Sequence, residues 1–201
     1  MLVETVYGGF ECVGLEFQNN VFLFNPTENF NCKFKTRGKN VYVFQTVPNA
    51  QIRLFKDSIN FKPSFGSHSF KVTNELGDGT EVSIYPYGEQ YAVLVKKGKF
   101  RFFYMDSNYM FNIKDQLIHD IVADLKKFFV RRIDIAFLPL VPEDNSSLTN
   151  LLLDLKPKRF APLLPTNDPG LIENFVRENI FEKTSILIYT RKCDRFKFNL
   201  I

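Results

Sequence analysis

An arginine and an aspartate lie two residues apart in the run RRIDIAF, which ends at Phe137. The run alternates with period two, so Arg132 and Asp134 share one face of a predicted strand and the isoleucines share the other. A carboxylate among residues that favour burial must be paired, bound to a metal ion or directed into a cleft. Asp134 is therefore the best single candidate for a catalytic carboxylate. The open alternative is a structural ion pair with Arg132 or Arg131.

The types of residue available limit any metal site to carboxylate ligands. The chain has two histidines, His68 and His119, and they form no His-x-His pair. Carboxylates suit Mg²⁺ or Mn²⁺, and Asp134 is the first candidate ligand. Glu16 in VGLEF and Glu81 at the start of a strand are weaker candidates. His119 is expected to be a surface or packing residue.

A tyrosine with cations just beyond it lies in the run ILIYTRK. Tyr189 is followed there by Arg191 and Lys192. Cations stabilise a phenolate and the charge that develops on an attacked phosphodiester, so this tyrosine is a candidate nucleophile. An aromatic side chain packed at a sheet edge is the more common alternative.

Basic and aromatic residues alternate in the predicted strand KFRFFYM. Lys99 and Arg101 share one face, and Tyr85, Tyr87 and Tyr91 lie close by in sequence on neighbouring strands. Such a surface can bind single-stranded nucleic acid through stacking and phosphate contacts. A solvated strand face opposite an aromatic core face remains the favoured alternative.

The elements that position these residues are predicted from hydrophobic periodicity. Residues 113–129 form an amphipathic helix that leads directly into the RRIDIAF strand, and residues 1–110 read as strand meanders. Two further helices are expected, one starting at 144–146 and running through Leu155 and one over 169–181, separated by a Pro-rich loop over 156–169. The predicted fold class is α+β, with antiparallel, Phe-rich sheets and about three helices packed on one face. We expect a single domain over 1–201, with a subdivision into 1–65 and 66–201 as an option.

Bulk composition is that of a globular protein. Hydrophobic residues make up 45% of 201 residues, which is ample for a core. The net charge of +4 permits a polyanionic partner without requiring one. Three cysteines at wide spacing, Cys12, Cys32 and Cys193, predict reduced thiols, with a Cys12–Cys32 disulfide as the alternative. No signal peptide or membrane span is predicted, so we expect a soluble, cytoplasmic protein.

The helix, the RRIDIAF strand and the later IYTRK strand together resemble the replication initiation factor family. These proteins start rolling-circle replication of plasmids and filamentous phages, and they show an R-[IV]-D-[IL]-A strand and a later Y-x-[KR]-type strand. The resemblance covers residues 66–198. It implies an α+β fold and DNA nicking with a divalent metal ion and a tyrosine nucleophile. Leu138 and Pro139 stand where the family usually has another acid, so a non-catalytic relative is the alternative.

The resemblance assigns a role to each candidate residue. Tyr189, Asp134 and Arg132 would be catalytic, and DNA would lie across the sheet face that bears Asp134. The expected phosphate contacts are Arg101, Lys158, Arg159, Arg191 and Lys192.

Two other classes of protein compete with a DNA-binding replication initiator. The first is a non-enzymatic viral or plasmid accessory protein that forms homo-oligomers through its sheets. The second is a small-molecule enzyme, for which the sequence offers no nucleophile–base pair and no cofactor loop. The partners expected from the sequence are nucleic acid and a second copy of the chain, with no membrane.

Overall fold

The protein divides into two compact units in a computed structural model. Unit 1 is Met1–Phe65 with Tyr189–Ile201, and unit 2 is Gly66–Ile188. The structure describes residues 2–9, 12–28, 30, 32–34, 36–46, 55, 57–61, 72–76, 78–87, 90–106, 122–123, 132–140, 145–163, 170–179 and 181–199. The expectation of one domain stays a prediction.

Unit 1 is built on a six-stranded sheet of order β13-β1-β2-β3-β4-β5. Its strands are β1 (Leu2–Gly9), β2 (Cys12–Phe17), β3 (Asn20–Phe24), β4 (Asn40–Phe44), β5 (Ser58–Phe61) and β13 (Arg195–Asn199). The pairs from β13 to β3 are antiparallel, and β3, β4 and β5 are parallel. The sheet therefore joins the two ends of the chain.

Phenylalanine side chains stack across the parallel strands of unit 1. The ring centroids of Phe24 and Phe44 lie 4.8 Å apart, and those of Phe44 and Phe61 also lie 4.8 Å apart. In-register parallel pairing places these rings side by side, because Phe24 pairs with Phe44 and Phe44 with Phe61. The frequent phenylalanines thus form ladders that hold β3, β4 and β5 together.

Unit 2 contains a seven-stranded sheet of order β12-β11-β10-β9-β8-β7-β6. Its strands are β6 (Val72–Leu76), β7 (Thr80–Tyr87), β8 (Gln90–Lys97), β9 (Phe100–Met105), β10 (Ile135–Pro139), β11 (Arg159–Leu163) and β12 (Ser185–Ile186). The pairs from β6 to β9 are antiparallel, whereas β9, β10, β11 and β12 are parallel.

Two helices of unit 2 are described in full, α1 (Ser146–Leu155) and α2 (Gly170–Glu178). Four leucines of α1 recur at helical spacing and are buried, as the sequence predicted: Leu148, Leu151, Leu152 and Leu155. They belong to one core cluster with Phe160 of β11 and Phe175 of α2. Of the helix predicted over 113–129, only Val122 and Ala123 lie within the described residues, and both are helical.

The predicted fold class is wrong. Both sheets mix parallel and antiparallel pairs, and the described residues are mostly strand with two bounded helices instead of three helices packed on one face. Sequence periodicity identifies strands but does not reveal their direction of pairing, which depends on crossover connections.

The Pro-rich segment after α1 is the clearest local correction. Residues 159–163 were predicted as loop and form β11, between β10 and β12. The carbonyl of Phe160 accepts from Leu187 N–H on the β12 side, and strand alternation turns Pro162 to the same side. β12 pairs with Arg159 and Phe160 and does not extend alongside Pro162. The absence of an N–H at Pro162 therefore removes no hydrogen bond between β11 and β12.

No helix in the described part of the chain is long and apolar enough to cross a membrane.

Candidate functional site

Asp134 is a buried carboxylate whose two oxygens both have partners within unit 2. It immediately precedes β10 and is 4% exposed. Oδ1 accepts a hydrogen bond from Lys158 Nζ at 2.9 Å, and Oδ2 accepts one from the backbone N–H of Arg101 at 2.9 Å. Its own backbone N–H donates to the Arg101 carbonyl at 2.9 Å. The structure thus gives Asp134 an ion pair with Lys158.

Arg132 has a different set of partners. Its Nε donates to the carbonyl of Lys156 at 2.7 Å, and its Nη2 donates to the carbonyl of Lys183 at 2.6 Å. The guanidinium therefore links the segment after α1 to the segment before β12. The shared strand face predicted for Arg132 and Asp134 does not make them partners.

The Asp134–Lys158 pair lies where the parallel strands begin. Asp134 precedes β10 and Lys158 precedes β11, and the N–H of Lys158 donates to the Ile133 carbonyl at 2.8 Å. We call this end of β9, β10 and β11 the amino edge. Open sheets with parallel strands bind ligands beyond the opposite ends of those strands. The hydrogen bonds and the ion pair at the amino edge therefore link adjacent strands of the sheet.

A second buried carboxylate marks the other end of the same strands. Asp106 follows β9 directly and is 0% exposed, and Leu140, which follows β10, is also fully buried. We call this end of β9, β10 and β11 the carboxyl edge. A carboxylate taken out of water must be paired, protonated or bound to a cation. Sequence reasoning missed Asp106, although an aspartate directly after the apolar run FRFFYM is a visible signal.

Tyr189 belongs to unit 1 and is 2% exposed. Its hydroxyl lies 2.6 Å from Thr5 Oγ1, and its ring stacks on Tyr7 at 5.3 Å and meets Phe196 edge-on at 4.9 Å. Burial raises the pKa of the Tyr189 phenol well above its ordinary value, in spite of its hydrogen bond with Thr5. A nucleophilic phenolate needs the opposite shift. This environment suits an aromatic residue packed on the sheet.

The remaining candidate metal ligands are apart from Asp134 and have cationic partners. Glu16, in unit 1, pairs with Lys39, and Glu81, on β7 of unit 2, pairs with Lys96 at 2.7 Å. In the part of the chain that the structure describes, no three His, Cys, Asp or Glu side chains come together. His68 and His119 lie outside the described residues.

The predicted phosphate-binding residues are divided between the two units. Arg101, Lys158 and Arg159 belong to unit 2, and only the first two meet at Asp134. Arg191 and Lys192 are exposed on the turn that precedes β13 in unit 1. The DNA-contact role of each residue is a prediction that the geometry does not test.

Three solved structures with a similar fold are described as metal-dependent enzymes. Igni18, a metallo hydrolase from the archaeon Ignicoccus hospitalis, matches with a TM-score of 0.62 and 12% identity over 100% of both chains. A candidate zinc-dependent hydrolase of the metallo-β-lactamase superfamily from Thermotoga maritima matches with a TM-score of 0.57 and 11% identity, over 92% of this chain and 98% of that one. CmlA, a diiron β-hydroxylase from Streptomyces venezuelae, matches with a TM-score of 0.58 and 12% identity over 99% of this chain and 54% of its own. No protein-family model and no curated protein sequence matches the chain.

These similarities correct the replication-initiator hypothesis. At 7–12% identity they show the fold alone, and that fold is shared with proteins described as metal-dependent hydrolases, not with replication initiation factors. The resemblance carried by RRIDIAF and IYTRK was therefore misleading, and the predicted function as a DNA-nicking replication initiator is wrong. Both runs are short and consist of common residue types. In the structure, Asp134 of the first run pairs with Lys158, and Tyr189 of the second is a buried aromatic residue.

Proposed function

We propose that the chain is a hydrolase that acts at the carboxyl edge of β9, β10 and β11, with Asp106 as its acidic residue. The observation that carries the proposal is the fold, which is similar to metal-dependent hydrolases over 92–100% of the chain. The fully buried Asp106 supports it, because it lies where parallel strands end and ligands bind. A carboxylate in that position can activate water as a general base or hold a cation.

The described residues do not fit the metal centres that the neighbours' names imply. Zinc and non-haem iron are held by three or more His, Cys, Asp or Glu side chains. No three such residues meet within the described ranges, and Asp134, Glu16 and Glu81 are each paired with a lysine. We therefore derive no step through a metal ion. Mg²⁺ or Mn²⁺, the ions expected from the sequence, remain a proposal.

If the proposed hydrolase is metal-dependent, His68 and His119 are its expected metal ligands. They are the only imidazoles of the chain, and imidazole is the commonest neutral metal ligand.

The test makes two measurements on the purified protein. Mass spectrometry gives its metal content, and an activity assay gives its rate of hydrolysis of p-nitrophenyl acetate and bis(p-nitrophenyl) phosphate, with and without added Zn²⁺ or Mn²⁺. Wild type should turn over one of these substrates, and His68→Ala with His119→Ala should lower bound metal and rate together. A wild type that turns over neither substrate overturns the proposal.

A second candidate is a binding protein that uses this fold without catalysis. The observation that favours it is the lack of a three-donor group in the described ranges together with only two histidines in the whole sequence. It predicts no stoichiometric metal in the purified protein, no turnover, and a melting temperature that chelators leave unchanged.

The cytoplasmic location and the partners expected from the sequence are also proposals. Oxidised cysteine pairs are rare in the cytosol unless they are catalytic or redox-sensing. Unit 1 contains such a pair, the disulfide between Cys32 and Cys193, so a cytoplasmic location requires that the pair respond to reductant. Homo-oligomers and nucleic acid stay predictions, which gel filtration and a filter-binding assay would check.

A further inference from the structure

The C-terminal strand of unit 1 is anchored by a disulfide that the sequence did not predict. Cys32 and Cys193 are joined across 161 residues of sequence, with their Cα atoms 5.3 Å apart. Cys193 lies two residues before β13, and Cys32 lies between β3 and β4. The predicted set of three reduced thiols and the alternative Cys12–Cys32 pair are both replaced by this bond.

Apart from the disulfide, noncovalent contacts hold β13 in unit 1, and its backbone pairs with one neighbouring strand. It is a five-residue strand at the end of the sheet, paired on one side with β1. Its alternate residues are exposed, and Phe196 and Phe198 are only partly buried. Arg195 and Lys197 both pair with Glu4, the latter at 3.4 Å, and the Arg195 guanidinium also donates to the Lys33 carbonyl. The covalent bond is therefore the strongest single restraint on this strand.

The disulfide can be reached from one of its two sides. Cys32 is 8% exposed, whereas Cys193 is half-buried on a turn whose preceding residues, Arg191 and Lys192, are exposed. These cations favour the approach of a thiolate and the departure of a thiolate sulfur. Cys193 also has a φ of +69°, a left-handed conformation that disfavours a residue with a β-carbon. Backbone strain and local charge thus both lie on the accessible side.

The third cysteine does not compete for this bond. Cys12 packs in the same apolar cluster as Cys32, with Cys193 against it, and is 3% exposed. Burial raises the pKa of the Cys12 thiol to about 12, so it is protonated at neutral pH and attacks a disulfide slowly. An external thiol is therefore the reagent that opens the pair.

We propose that the Cys32–Cys193 disulfide is a redox-controlled latch that holds β13 on β1. A dithiol reductant supplies two electrons and two protons: the S–S bond breaks, both cysteines become thiols, and the reductant becomes a disulfide. Once β13 separates, β1 becomes the edge of the sheet and its backbone N–H and C=O groups become available for pairing. The latch is independent of the hydrolase proposal, because every residue in it belongs to unit 1.

The test compares the full chain in its oxidised and dithiothreitol-reduced states by hydrogen–deuterium exchange. Alkylation under denaturing conditions should find one free thiol in the oxidised protein and three in the reduced protein. Reduction should speed amide exchange at least about tenfold in β1 and β13 by removing their covalent restraint, and leave β7 and β8 of unit 2 unchanged as the internal control.

Two variants make the outcome specific to the latch. Cys193→Ser should exchange like the reduced wild type in both conditions, and Cys12→Ser should keep the full response to dithiothreitol. Three free thiols after treatment with oxidised glutathione would overturn the proposal. Equal exchange of β13 in the two redox states would also overturn it, because the bond would then exist without controlling the strand.

Discussion

The two units fasten a terminal or connecting strand in different ways. In unit 1 the last strand, β13, comes from the far end of the chain and is tied by the Cys32–Cys193 bond and by ion pairs at a partly exposed surface. In unit 2, β10 and β11 lie inside the sheet and are tied by the Asp134–Lys158 pair against a buried core. The first arrangement depends on the redox state of the surroundings. The second is an ion pair between a buried carboxylate and a half-exposed lysine, which does not change with redox state.

A second contrast lies within unit 2, between two aspartates at opposite ends of the same strands. Asp134 at the amino edge is bound by Lys158 and by a backbone N–H, so its charge is used for stability. Asp106 at the carboxyl edge is buried where sheets of this kind place their ligands. Under the proposed function, the first aspartate stabilises the sheet and the second acts in catalysis.

The largest effect is expected from loss of the disulfide. Cys32→Ser removes a cross-link between residues 161 apart, which constrains the unfolded chain strongly and should cost about 3–5 kcal/mol of unfolding free energy. Urea denaturation without reductant measures it, with the reduced wild type as the matched state. If Cys32→Ser and oxidised wild type unfold at the same urea concentration, the disulfide does not stabilise unit 1.

Removal of the buried carboxylate of unit 2 should come next. Asp134→Ala leaves the Arg101 N–H and the Lys158 ammonium without their acceptor, at a cost of about 2–3 kcal/mol; the cost is moderated because the Lys158 side chain is 44% exposed. Asp134→Asn keeps an acceptor for the N–H and should lose less. Thermal unfolding of the two variants checks this order, and the reverse order would argue against the tie between β10 and β11.

Tyr189→Phe should have a smaller effect. It removes the hydroxyl that shares a 2.6 Å hydrogen bond with Thr5 Oγ1 and keeps the ring contacts with Tyr7 and Phe196. A buried neutral hydrogen bond contributes about 1 kcal/mol to unfolding free energy. Thr5→Val should lose a similar amount, and the double variant should lose less than the sum. Full additivity in this cycle would show that the two hydroxyls do not interact.

The smallest effect concerns the dependence of unit 1 on pH. Burial raises the pKa of Glu4, but hydrogen bonds and charge from Arg195 and Lys197 outweigh it and hold the pKa below the ordinary value of 4.5. A lowered folded-state pKa stabilises the protein above the unfolded-state value, and that stability is lost as the pH falls through the folded-state value. Glu4→Gln should therefore flatten the acid limb of a stability–pH profile. If the unfolding free energy of Glu4→Gln falls with decreasing pH as steeply as that of the wild type, Glu4 does not contribute to the pH dependence.

Local features of both units could be predicted from the sequence because each depends on residues close together in the chain. The leucine spacing of α1 and the alternation of Phe196 and Phe198 in β13 required no distant partner. The parallel pairing of β9, β10 and β11 could not be predicted, since it is decided by crossovers that carry no local signal. For the same reason the sequence predicts a loop for the Pro-rich segment, whereas residues 159–163 form a strand by pairing with β10.

The candidate site was harder to predict than the fold because a charge pattern does not reveal which edge of a sheet it will occupy. Asp134 was correctly identified as a carboxylate in need of a partner, but that partner, Lys158, is 24 residues away. The Cys32–Cys193 pair is separated by 161 residues and was invisible to spacing arguments for the same reason. Asp106 had a local signal and was overlooked in favour of a motif resemblance.

The most direct test of the functional account compares Asp106→Asn with Asp134→Asn in one hydrolysis assay on the full chain. We expect Asp106→Asn to lower kcat/KM by about a hundredfold or more, since a general base or cation ligand is lost. Asp134→Asn should stay within about twofold of the wild-type kcat/KM and lower the melting temperature, because it weakens only a structural tie. A loss of activity confined to Asp134→Asn, or equal losses in both variants, would contradict the assignment of function to the carboxyl edge.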